Sequence, residues 1–181
     1  YKIDSINQVA INNKVGLSFA LVLKNILRQD PDIIFIGEIR DKFSLDIALQ
    51  ASLTGHLVLA SIHSSSSVET ITRLIDLKAD PFLISTTLKA VMAQRLVLAH
   101  CKSCENGCKE CNFTKFYDRT SIAEILKIDE QISSLIFNKA SFNELKEYLK
   151  NINFKTILDD GKQKVKNGLT TLEEVYKVVN Y

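Results

Sequence analysis

The stretch Asp30-Pro31-Asp32-Ile33-Ile34-Phe35-Ile36-Gly37-Glu38-Ile39-Arg40-Asp41 decides how this chain folds. Four consecutive apolar residues, Ile33 to Ile36, are too few to cross a membrane and suit a buried strand. The run stops at Gly37 and is followed at once by Glu38, Arg40 and Asp41. In a doubly wound sheet, ligands bind outside the carboxyl ends of the strands. Glu38 occupies such an end.

The flanks fit the same scheme. Upstream, Leu17, Ala20, Leu21, Leu23, Ile26 and Leu27 recur at helical spacing, with Ser18 as the N-cap. Pro31 ends that helix, because proline disfavours helical geometry in the residue before it. Lys2 to Asn12, with Ile3, Ile6, Val9 and Ile11 among polar neighbours, predict a strand and turn. Downstream, Asp41 or Ser44 caps a second helix carrying Leu45, Ala48, Leu49 and Ser52 on one face, and Gly55 stops it. His56 to His63 reads as another short buried strand, Ser64 to Ser67 as the turn out of it, and Val68 to Leu77 as a helix. Pro81 opens a further helix running towards Gln94, and Leu96 to Leu98 form one more strand. This alternation predicts an α/β layer with a parallel sheet over residues 1–98.

A cysteine loop, 99–117, follows, and 118–181 reads as a mostly helical subdomain. Ser121 to Ile128 fits either a strand or a short helix. Thr171 and Glu174 have the spacing of a capping box at the start of a last helix.

Composition narrows the function. The 181 residues are 46% hydrophobic and 24% charged, ordinary for a globular protein. A formal charge of +2, with no basic stripe or aromatic stacking repeat, argues against nucleic acid as a partner. No apolar stretch reaches the roughly 18 residues of a membrane span, so no direct membrane insertion is expected and any membrane association runs through a partner. The chain opens on Tyr1 inside an ongoing pattern, which suggests a piece of a longer polypeptide.

Three constellations carry chemistry. Glu38 at its strand tip fits a carboxylate that orients an attacking water or contacts a metal shell, or a solvated acid paired with Arg40. His56 and His63 bracket the second strand, and their spacing places them on opposite faces, against a shared metal site. Cys101, Cys104, Cys108 and Cys111 form C-x2-C-x3-C-x2-C, the ligand count and pattern of a structural zinc knuckle. Reduced thiols or a disulfide are the alternatives, the latter disfavoured in cytosol.

Together, Arg28-x-Asp30-Pro31-Asp32-x4-Gly37-Glu38-x-Arg40-Asp41 resembles the signature of the type II secretion and type IV pilus assembly ATPases. Thr54-Gly55-His56-Leu57-Val58-Leu59 followed by His63 is similar to that family's histidine box. Gln94-Arg95-Leu96, the tetracysteine cluster and Gly168-Leu169-Thr170-Thr171-Leu172-Glu173-Glu174-Val175 match in the family's order. The resemblance runs through essentially the whole chain.

It implies the C-terminal part of a RecA-like P-loop NTPase domain, working with ATP and magnesium. The complete proteins are homo-hexamers that act in the cytoplasm, peripheral to the inner membrane, through secretion or pilus platform proteins. Glu38 would be the catalytic carboxylate and His63 a sensor near the γ-phosphate. Arg28, Arg40, His56 and Arg95 would make nucleotide or intersubunit contacts. The tetracysteine loop tilts the reading from retraction towards secretion or assembly.

The departures are specific. No G-x-x-x-x-G-K-[ST] loop occurs in residues 1–181, so the isolated chain is expected to be inactive. Ser64-Ser65-Ser66 replaces the family's Thr-Asn-Asp after the histidine, and Lys24 stands where arginine is usual. Glu105-Asn106-Gly107 is a shorter cysteine connection than most members have. A non-catalytic, zinc-stabilised module docking on a membrane platform is the alternative function.

Overall fold

Pro31 separates the first helix from the first strand, and the computed structural model, which describes residues 2–179, shows both. Helix α1, Phe19–Ile26, is capped by Ser18, whose hydroxyl accepts from the Leu21 amide at 3.3 Å. Strand β1, Ile33–Ile36, then pairs in parallel with β2, Leu57–Ala60, in the register Ile33 to Leu57 through Ile36 to Ala60. Helix α2, Lys42–Leu53, makes the crossover. Asp41 caps it by accepting from the Ser44 amide at 2.8 Å, and Gly55, at φ +102°, turns the chain out of it.

The β1 run is buried on one face only. Ile34 and Ile36 point inward, whereas Phe35 is 70% exposed and Ile33, Leu57 and Leu59 lie on the same open face. Both runs were expected to form buried strands; among the described residues β1 is covered on one face only and β2 is largely exposed.

Helices α3, Ser67–Asp76, and α4, Pro81–Thr87, follow. Pro81 sits in the first turn of α4, with Asp80 accepting from the Phe82 amide at 2.9 Å. The helix expected to reach Gln94 stops at Thr87. Residues Ala90–His100 instead form β3, paired antiparallel with β4, Phe116–Lys127. Ala90 to Arg95 are mostly good helix formers, and pairing with β4 overrides that preference. The alternation of Val91, Ala93 and Val97 inward with Met92 and Leu96 outward is the strand period that composition masked.

Two further expectations are corrected. Among the described residues the parallel arrangement is confined to β1 and β2, and the β3–β4 hairpin forms a separate sheet. Lys2 to Asn12 hold no strand; a bridge between Asn12 and Leu17 closes a 3-10 turn at Asn13–Val15 instead. Among the described residues these pair with no strand, and Ile3, Ile6 and Val9 stay exposed.

Helices α5, Glu130–Phe137, α6, Phe142–Asn151, α7, Ile157–Lys166, and α8, Leu172–Val179, complete the chain. Reciprocal capping boxes open α6 (Ser141 with Glu144) and α7 (Thr156 with Asp159). At α8 the Glu174 amide does reach Thr171 Oγ1, at 3.3 Å, while the Glu174 carboxylate pairs with Lys177.

Two cores result. The larger joins Ile34 and Ile36 with Leu45 and Leu49 of α2, Ile71 of α3, Ile84 of α4, and Ile132, Ile136 and Leu145 of α5 and α6. Burying each such side chain contributes about 1.5–3 kcal/mol. The smaller joins Val97 and Ile122 of the hairpin with Ile157 of α7 and Val175 of α8. The hairpin carries side chains in both cores, and it lies directly beneath the turn that follows β2.

Candidate active site and metal centre

Beyond Ile36 and Ala60 the two parallel strands stay joined through Ser61. Its carbonyl accepts from the Ile39 amide at 2.9 Å, its amide donates to Ile36 at 3.3 Å, and its hydroxyl donates to the Gly37 carbonyl. This stitching brings Glu38 and His63 together at the carboxyl ends of β1 and β2. His63 Nε2 lies 2.9 Å from Glu38 Oε1. Glu38 Oε2 accepts from Arg40 Nε at 2.6 Å and lies 2.5 Å from its Nη2.

The Glu38 carboxyl is held below the usual carboxylate range. The hydrogen bond from Arg40 does most of this, against a desolvation cost, and the charges of Arg40, His63 and Arg73 add to it. Glu38 is therefore an ionised acceptor at neutral pH. With its side chain 21% exposed, it remains open to a water or a metal-bound oxygen.

The turn after His63 is held by its own side chains. Ser64 Oγ lies 2.6 Å from Thr70 Oγ1. The Ser65 amide donates to Glu69 Oε2 at 2.7 Å and the Ser65 hydroxyl donates to the same oxygen. The Ser65 hydroxyl and then its amide lower the Glu69 pKa, against desolvation, with smaller contributions from Arg73 and Arg95. Glu69 thus supplies an acid to this region from the helix.

Below the turn stands the hairpin. Arg95 Nη2 donates to the carbonyls of Ser64, at 3.4 Å, and Ser65, at 3.2 Å. Glu124, 6% exposed, accepts from the Ser67 amide at 2.7 Å and the Ser67 hydroxyl at 2.6 Å through Oε1. Its Oε2 accepts from the Ile157 amide at 3.0 Å. Sequence reasoning did not single out Glu124; the signal was an acid between the apolar residues Ile122 and Leu126 on the inward face of a strand.

The cysteine loop closes at the far end of the hairpin. Its four sulfurs lie within 4.8 Å of one another, with Cys101–Cys108 at 3.9 Å, Cys104–Cys111 at 3.6 Å and Cys108–Cys111 at 3.8 Å. Tetrahedral zinc with metal–sulfur bonds of about 2.3 Å requires sulfur–sulfur edges of about 3.8 Å. The residues present fit such an ion. The backbone N–H of Cys108 donates to Cys111 Sγ at 3.2 Å and pulls that thiol down to about 6, with neighbouring hydrogen bonds opposing desolvation. Burial pushes Cys104 up to about 12, helped by the surrounding sulfurs. Gly107 turns at φ +103°, and a Cβ there would meet the Phe113 carbonyl oxygen at 2.9 Å.

Comparison with known proteins places the chain. The family described as "Type II/IV secretion system protein" matches residues 1–177. The chain belongs to this family. It is 41% identical to the type II secretion system protein HxcR of Pseudomonas aeruginosa over 187 residues, covering 98% of this chain and 40% of HxcR. With the type IV pilus assembly ATPase PilB of Thermus thermophilus it shares 38% identity over 97% of this chain and 23% of PilB. The structure of the pilus retraction motor PilT with bound ADP superposes with a TM-score of 0.70 at 29% identity, covering 89% of this chain and 43% of that one. The chain thus spans less than half the length of these relatives.

Within this type II/IV secretion system chain, the residues expected at the site divide. Glu38, Arg40 and His63 converge. Arg95 reaches the turn behind them. His56 lies at the opposite end of β2, where its Nδ1 is 2.9 Å from the Ala51 carbonyl and 3.2 Å from Thr54 Oγ1, closing the end of α2. Arg28 is exposed in the loop after α1.

Proposed function

We propose that this chain supplies the water-facing part of the active site in an ATPase that powers type II secretion or type IV pilus assembly. The observation that carries the reading is the Glu38–His63 pair, held at 2.9 Å by parallel strand pairing in a chain of this family. In this reading Glu38 accepts a hydrogen bond from the attacking water and holds it in line with the terminal phosphate. His63, on the adjacent tip, faces the same phosphate and reports its loss. Arg40, whose side chain is 78% exposed, exchanges its ion pair with Glu38 for a phosphate or intersubunit contact.

A carboxylate and phosphate repel each other, and magnesium bound with the nucleotide supplies the charge that brings them together. The residues of this chain orient water and sense phosphate; the phosphate cradle is a separate element, because none of its sequence pattern occurs here. The tetracysteine loop holds a structural zinc, its coordination filled by protein sulfur. The complete protein works as a homo-hexamer in the cytoplasm and meets the inner membrane through platform proteins. No helix among the described residues is long and apolar enough to cross a membrane.

The test is Glu38→Gln in the full-length polypeptide. Turnover is expected to fall about 100-fold or more while ATP binding is retained, as for loss of a positioned catalytic carboxylate. Turnover within a few-fold of the unsubstituted protein would assign Glu38 to an ion pair with Arg40 alone.

A further inference from the structure

The two charged residues on the inward face of the hairpin meet the same short segment from below. Arg95 pairs with Ile122, and Ala93 pairs with Glu124, so Arg95 and Glu124 are diagonal neighbours on one face of the ladder. Arg95 donates to the carbonyls of Ser64 and Ser65, while Glu124 accepts the amide and hydroxyl of Ser67. Arg95 thus takes two carbonyls of the turn and Glu124 takes the amide and hydroxyl that end it, while the Ser65 amide and hydroxyl go to Glu69.

Glu124 also has a second attachment. Ser67 and Ile157 are the first residues of α3 and α7, and the two carboxylate oxygens take one helix start each. A negative charge is favourable at each helix start, and charge-assisted bonds to a buried carboxylate are stiff as well as strong. Ser67 has no exposed surface, so the contact is shielded from competing water. Displacing α7 relative to the hairpin would therefore pull on the segment that begins at His63.

We propose that Arg95 and Glu124 act as a two-point clamp positioning the Ser64–Ser67 turn, and with it His63 against Glu38, and that Glu124 couples this turn to α7. Both are positioning residues: neither touches the reacting atoms. The proposal rests on the ATPase reading for its consequence in turnover, but the clamp itself has a readout independent of nucleotide chemistry.

The experiment compares Glu124→Gln with the unsubstituted full-length protein in ATP hydrolysis and in amide hydrogen exchange. Glutamine keeps one acceptor and turns a donor towards the other helix start. At least one of the Ser67 and Ile157 amides should then exchange about tenfold faster, the cost of losing one charge-assisted hydrogen bond. The kcat should fall roughly 10- to 100-fold with KM for ATP within about two-fold, because a displaced group loses transition-state contacts without losing substrate binding. If Glu124→Gln does not fold, Ser67→Ala removes the hydroxyl contact and leaves the α7 contact, and the same kcat-selective loss is expected. An unchanged kcat in the variant that folds, or a loss carried by KM, overturns the proposal. Should the unsubstituted protein itself show no turnover, the ATPase reading fails, and the exchange rates decide the clamp. Unchanged exchange at the Ser67 and Ile157 amides in Glu124→Gln overturns it, as does, in Ser67→Ala, unchanged exchange of the residue 67 amide once its shared acceptor has lost the hydroxyl.

Discussion

His63 Nε2 lies 2.9 Å from Glu38 Oε1 because Ser61 extends the pairing of two parallel strands beyond their last apolar residues. The acid is shared: its other oxygen is held by Arg40. Any role for Glu38 in chemistry therefore depends on how firmly Arg40 keeps it.

The first prediction follows from that ion pair. Glu38 has a depressed pKa in the folded chain, caused first by the Arg40 hydrogen bond. A depressed folded value means the associated stability is fully present above the unfolded value and is lost as pH falls through the folded one. Arg40→Ala should raise the Glu38 midpoint towards the ordinary glutamate value and remove this part of the acid sensitivity. Stability at neutral pH should change little, because the Arg40 side chain is 78% exposed and solvent screens the pair. A carbon-13 titration of the Glu38 carboxyl checks the shift; an unmoved midpoint would show that Arg40 is not its cause.

The second concerns the metal. Freshly purified chain should contain about one zinc per molecule, given four sulfurs already at tetrahedral spacing. Chelation, or Cys101→Ser with Cys104→Ser, should release the loop and loosen the adjoining end of the hairpin, where the Cys101 amide donates to Lys115 at 2.9 Å. Gly107→Ala should weaken zinc retention too, since a Cβ at that left-handed position would press on the Phe113 carbonyl. Elemental analysis and chelator competition measure both effects; metal-free protein with a protected loop would refute the site.

The third tests the smaller core. A Cβ on Gly161 of α7 would meet Val175 Cγ1 of α8 at 2.5 Å, and Val175 has no exposed surface. Overpacking of this kind typically costs about 1–3 kcal/mol. Alanine's better helix propensity returns up to about 1 kcal/mol of that. Gly161→Ala should therefore lower stability, by up to about 2 kcal/mol after the propensity gain, in urea denaturation, and adding Val175→Ala should bring less than additive loss. A neutral or stabilising Gly161→Ala would mean that α7 and α8 pack less closely.

How far the sequence foretold this structure depended on whether a residue's partner was local. Ser18, Asp41, Pro81 and Gly55 act within a turn of their own helices, and each does what its type dictates. The cysteine spacing was equally readable, because two C-x2-C turns need no distant element. Ala90 to Gln94 was misread because its strand state exists only through β4, some thirty residues later. Glu124 was invisible for a related reason: its partners, Ser67 and Ile157, are distant in the chain, and only the hairpin brings them to one carboxylate. Arg95 stood out only through the Gln94-Arg95-Leu96 match, as a nucleotide or intersubunit contact, and the two carbonyls it serves belong to a turn some thirty residues earlier.

The last prediction addresses residues 1–181 as a purified chain. Nucleotides in P-loop proteins are held largely by backbone amides and a lysine of the phosphate-binding loop, with the magnesium these help to place. Here the strand tips offer an ionised carboxylate, Glu38, with its depressed pKa, and a second acid, Glu69, in the same region with its own pKa lowered. Arg40 meets a phosphate only by giving up Glu38, and Arg95 is engaged with two backbone carbonyls, so neither cation by itself replaces the cradle. The chain by itself should give no calorimetric signal with magnesium-ATP at micromolar concentration and no phosphate release above background. Micromolar binding would show that these cations leave their partners for phosphate, which would make the clamp on the Ser64–Ser67 turn a nucleotide-sensitive contact. Flat traces in both assays leave Glu38 and His63 as groups that act only on a nucleotide held by other residues.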